Sequence, residues 1–112
     1  MTPEKQHIAI AQVFGWTETE PWLNGERCFE REESTCGWKL SDIPNYLNDL
    51  NAMHEAEKVL TVGQRVTYAS QLCLIWTGHT DRAVPIWFWI EATARQRAEA
   101  FLRTLKLWEE TP

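Results

Sequence analysis

Apolar and polar positions along this chain change period several times, and each change marks an element. Between Pro3 and Phe14, His7, Ile10, Ala11 and Phe14 recur on one helical face. Thr2 is placed to cap that helix, Pro3 to occupy its first turn, Glu4 to face its positive end and Gly15 to close it. From Trp16 to Leu40 the period shortens, and Asn24-Gly25 and Glu32–Thr35 break the run into extended pieces joined by hairpins. Asn-Gly suits the positive φ angles of a type I′ turn. If the second turn pairs Glu26–Arg31 with Cys36–Leu40, Cys28 and Cys36 lie nearly opposite each other across two strands.

A second helix is expected to start between Asn45 and Asn48, with Asn48 as N-cap and Asp49 in the first turn, and to end near Leu60. Leu47, Leu50, Met53 and Leu60 trace its apolar stripe, interrupted by Glu57. Thr61 and Gln64 have the spacing of a capping box, with Tyr68, Leu72 and Ile75 following at helical intervals, so a third helix is expected over Val62–Leu74. Gly63, Val66 and Thr67 disfavour it, and a strand from Val66 to Trp76 competes. Gly78–Asp81 reads as a loop. Ile86–Ile90 is apolar on both alternating faces, which a strand tolerates when both sides of its sheet are covered. Thr93 and Gln96 then form a second capping box for a helix from Ala94 to Trp108, with Glu99 and Arg103 as an outward ion pair. These elements predict a single α+β domain, a small antiparallel or mixed sheet sandwiched by helices in α-β-α layers.

Composition narrows the functions. The chain has 112 residues, 44% hydrophobic and 24% charged, the values of one ordinary globular domain rather than a disordered or membrane chain. No apolar run approaches the ~18 residues of a membrane span. A net charge of −5 disfavours non-specific nucleic-acid binding, which needs a basic footprint. Three cysteines are an odd count, and the opening MTPEKQHIAI carries charge where a secretory leader is apolar, so reduced thiols in a cytoplasm are expected. Seven tryptophans stand out, and most of them are expected in the core.

Two stretches carry a likeness: Tyr46–Ala52, opening one helix, and Trp89–Ala94 leading into Arg97–Leu102. Together they resemble the phage ABA sandwich family, small phage and prophage proteins with an α-β-α layered domain and no established activity. The likeness covers half to two-thirds of the chain, which has Leu47-Asn48 where the family usually has Ser-Thr before the aspartate. It implies a phage or prophage origin and action inside a bacterial cell, and it supplies no catalytic residues.

Candidate chemistry is sparse. Cys73, His79 and Asp81 are the parts a Cys/His enzyme would use, but nearness in sequence does not build a triad. His54-Glu55 lacks the second histidine of a zinc-protease motif, and no cysteine or histidine pair completes a metal site. The reading is therefore a non-catalytic protein without a cofactor that binds a host or phage protein. Its expected contact surface is Trp16, Trp22 and Trp76, which lie near element ends, with the acidic Glu30, Glu32 and Glu33. Arg95 and Arg97, near the positive start of the last helix, are candidate anion contacts. The alternative is a protein that sequesters a nucleotide-like molecule between tryptophans and arginines.

Overall fold

The structure, a computed structural model, describes residues 1–31, 34–77 and 91–110, with backbone alone at 34–36 and 77. Among them are four α-helices and a three-stranded antiparallel sheet, an α+β arrangement in which helices pack against a small sheet. The predicted strand Ile86–Ile90, the loop Gly78–Asp81, and Glu32 and Glu33 lie outside the described residues.

Helix α1 spans Pro3–Val13, and the Thr2 hydroxyl accepts the Lys5 N–H at 3.2 Å as its cap. Gly15, at φ +90, turns the chain where a side chain would be strained. The sheet follows as β1 (Thr17–Thr19), β2 (Cys28–Arg31) and β3 (Ser34–Trp38), in the order β1-β2-β3. Thr19 pairs with Cys28, so the β1–β2 connection is far longer than a two-residue hairpin. Its turn runs from Trp22 to Gly25, whose N–H reaches the Trp22 carbonyl at 2.8 Å. Gly25 has φ +85 and Asn24 has no positive φ, so the turn is not type I′; Asn24 instead accepts the Glu26 N–H at 3.0 Å through its side chain.

Phe29 pairs with Trp38 and Arg31 with Ser34, with a register shift between them. Cys36 therefore faces the Phe29–Arg31 stretch and not Cys28. The Cys28 sulfur lies against Gly37 instead: a Cβ there would stand 2.8 Å from Cys28 Sγ and 2.9 Å from the Trp22 ring. Only a residue without a side chain fits between them.

Helix α2 covers Leu50–Glu57 and is capped by Asp49, whose carboxylate accepts the N–H groups of Asn51 and Ala52 at 3.0 and 3.4 Å. Asn48, the expected cap, donates its side-chain amide to Asn45. A carboxylate is the stronger partner for a helix start, so the boundary falls one residue later. Helix α3, Val62–Thr77, begins at the Thr61–Gln64 capping box with both reciprocal bonds formed, at 3.2 and 2.9 Å. It overrules the strand alternative because its period buries Tyr68 and Leu72 on one face.

Helix α4, Ala94–Thr104, is the hub, packing on α1, α2 and most extensively on α3. Its Thr93–Gln96 capping box is complete. It stops short of Trp108 because Lys106 takes a left-handed φ of 61, with the Lys106 N–H on the Arg103 carbonyl at 3.1 Å and the Leu107 N–H on the Leu102 carbonyl at 2.8 Å. That reversal returns Trp108 beneath Arg103, 4.9 Å from its ring centre. Ile10, Phe29, Met53, Leu72, Phe101 and Leu102 are the largest fully buried side chains, and sheet and helices share this core.

Candidate functional site

The tryptophans expected at the surface are mostly packed. Trp16 is only 6% exposed and joins the core, with Trp38 edge-on at 5.7 Å, because the chain turns inward between α1 and β1. Trp22 is half-buried against Gly37, and Trp76 is half-buried against the helical core. Glu30 is exposed on β2, opposite Thr17. The acidic rim is laced with cations: Arg27 meets Glu4 at 3.3 Å and Glu18 at 3.7 Å, and Lys39 meets Glu26 at 3.7 Å. Trp16, Trp22 and Glu30 thus share the sheet end of the molecule, while Trp76 belongs to α3.

The two arginines expected to contact an anion part company. Arg95 is exposed and reaches Asn48 at 3.5 Å. Arg97, at 2% exposure, is the one charged residue buried among those described. Helical spacing from Ala94, Ala98 and Phe101 turns it inward, where Nε donates to the Ala92 carbonyl at 3.2 Å and Nη1 lies 3.5 Å from both Glu57 oxygens. Its charge is therefore engaged inside the fold rather than offered to a ligand.

Arg97, Glu57 and Tyr68 make a polar centre where α2, α3 and α4 meet. The Tyr68 phenol interacts with both Glu57 and Arg97; burial raises its pKa, helped by the Glu57 charge, so it stays protonated as a donor. On the outer side of Glu57, His54 Nδ1 stands 3.1 Å from Oε1. A cleft of 310 Å³ opens above this centre, lined by Glu57, Lys58, Leu60, Arg65 and Tyr68. Arg65 is held at its mouth by Nε donating to the Leu60 carbonyl at 3.2 Å.

Next to this cleft the outside of the protein is apolar. Val62 is 81% exposed, Val66 67%, Val59 49% and Leu74 40%. Val62, Val66, Ser70 and Leu74 follow at steps of four along α3, and Arg65 is the single charge in the helix. The signal for this ridge was present in the sequence: two β-branched apolar residues one turn apart in a segment with one charge.

A second concavity, of 350 Å³, lies toward the sheet, with Phe14, Trp16, Pro44 and Tyr46 as its apolar walls and Arg31 and Glu55 at its polar edge. Phe14 stacks on Tyr46 at 5.8 Å, and Arg31 sits 5.5 Å over the Trp16 ring. Among the described residues no group of three His, Cys, Asp or Glu side chains could hold a metal ion, and no helix is long and apolar enough to cross a membrane. No family model, curated protein or solved structure matches the chain.

Proposed function

We propose that the chain is a non-catalytic phage or prophage accessory protein that binds a host protein through the outer face of α3, acting in the host cytoplasm to interfere with a host or defence process. The observation that carries this reading is the exposed apolar Val62, Val66 and Leu74 on a helix with a single charge, with exposed Val59 in the turn before it. A solvent-facing helix normally carries charge on that side, and exposed apolar residues recurring on one face, here interrupted by Ser70, suit a contact surface. The partner's matching surface is apolar and uncharged at its centre, with carboxylates placed to meet Arg65 and Lys58 at the rim. The phage setting rests on the resemblance of Tyr46–Ala52 and Trp89–Leu102. The net charge of −5 supports a protein partner over a nucleic-acid backbone.

The test is comparative capture. Tagged wild-type protein and a Val62→Asp/Val66→Asp variant are presented to bacterial lysate, and retained proteins are identified by mass spectrometry. The expected result is a specific protein retained by the wild type and lost by the variant, while the variant's folding stability changes by less than about 0.5 kcal/mol per site, as at other exposed positions. An identical set retained by both, or self-association of the wild type through this ridge in place of a foreign partner, would sink the reading.

A further inference from the structure

We infer that the concavity between α1, β2 and α2 is a ligand site for a planar aromatic ring bearing an anionic group, and that a nucleoside monophosphate with an exocyclic amine fits it best. Its walls are largely rings and apolar carbons: Phe14, Trp16, Pro44 and Tyr46 line an open concavity of 350 Å³, the size of a small-molecule site. Its cation is Arg31. The guanidinium lies 5.5 Å over the Trp16 ring, and among the described residues no carboxylate pairs with it. A guanidinium resting on an aromatic face keeps its N–H groups at its edge, where they match the paired oxygens of a phosphate or carboxylate.

Tyr46 is close enough to feel the Arg31 charge: burial raises the pKa of its phenol, and Arg31 opposes that rise. Across the opening, Glu55 supplies an acceptor. Lys58 lies 2.8 Å from Glu55 Oε1 and partly offsets its charge, and the Glu55 carboxylate lines the concavity as an acceptor for an amino group on the ring. Apolar walls, a forked donor and an acceptor opposite define the ligand: ring inside, anion on Arg31, amine toward Glu55. The site is separate from the α3 ridge and stands whether or not the ridge binds a partner.

Isothermal titration calorimetry with the full chain tests this. The probes are AMP, inosine monophosphate, adenosine, inorganic phosphate and 1-naphthoate. Saturable AMP binding is expected, at least about tenfold tighter than adenosine or phosphate alone, since each lacks one half of the recognition. AMP should also exceed inosine monophosphate, which lacks the amine. If 1-naphthoate binds more tightly than AMP, the ligand is an aromatic carboxylate, the second source of the same chemistry. Arg31→Met should weaken binding by about tenfold or more. Arg31→Lys, which keeps the charge and loses the fork, should fall between and guards against a folding defect in the first variant. Val62→Asp/Val66→Asp should leave AMP binding unchanged, which separates this site from the α3 reading. Absence of saturable binding by both AMP and 1-naphthoate, or binding that survives in both Arg31 variants, overturns the inference.

Discussion

The two ends of the molecule distribute polarity in opposite ways. At the sheet end, Trp16 and Phe29 are inside while Glu4, Glu18, Glu26, Arg27 and Lys39 form exposed ion pairs, the ordinary order of a soluble domain. At the α2–α3–α4 corner the order inverts: Arg97, Glu57 and Tyr68 meet inside, and Val59, Val62 and Val66 face solvent. Surface ion pairs contribute little to stability and charge removal there is tolerated, whereas a buried charge makes its partner indispensable. The corner therefore combines a paired charge inside with exposed apolar side chains outside.

Breaking one partner of the corner should have the largest effect. Glu57→Ala removes the carboxylate that balances the buried Arg97 charge and should cost about 3–5 kcal/mol in urea denaturation, whereas Glu57→Leu combined with Arg97→Met should return stability to within about 1 kcal/mol of the parent. Removing Arg27 at the sheet end should cost less than about 1 kcal/mol by the same measurement. A comparable loss at both ends would erase the contrast.

Next in size is Gly37→Ala. The new methyl meets Cys28 Sγ and the Trp22 ring below 3.0 Å, so the sheet must shift, at about 1–3 kcal/mol. Chemical denaturation gives the loss, and faster alkylation of Cys28 would show where the sheet opened. Lys106→Gly runs the other way. It relieves a left-handed backbone at the end of α4 and should stabilise by about 1 kcal/mol, seen as a higher Tm.

The smallest effect concerns pH. Burial lowers the His7 pKa, against hydrogen bonding to the Pro44 and Ile43 carbonyls that raises it. The unfolded chain therefore takes up this proton first as pH falls. The His7 contribution is fully present above pH about 6.5 and is lost as pH falls through that value toward the folded pKa. His7→Gln should flatten the stability profile in that window; an unchanged profile would show that His7 does not contribute to it.

Helix positions were legible because their signals are local. Thr2, Thr61–Gln64 and Thr93–Gln96 announce their starts in adjacent residues, and Tyr68, Leu72, Ala98 and Phe101 keep the period. What escaped depends on distant residues. Trp16 sits at an element end, which in sequence resembles a surface, and only the approach of Trp38 and Arg31 covers it. Arg97 reads as a basic residue near a helix start until Glu57, from another helix, gives it a reason to be inside. Val62 and Val66 count against a helix by propensity, yet the capping box and the burial of Leu72 outweigh them.

The buried arginine has one more consequence. The first turns of the inward face of α4 are mostly alanine, at Ala94, Ala98 and Ala100, and the bulky knobs that fix how far one helix slides along another come only at its end, with Phe101 and Leu102. Arg97 adds a polar constraint near the start of the helix. A displacement of one helical turn would carry the guanidinium away from Glu57 on α2 while the Ala92 carbonyl moved with it, so the buried charge ties α4 to one axial setting against α2.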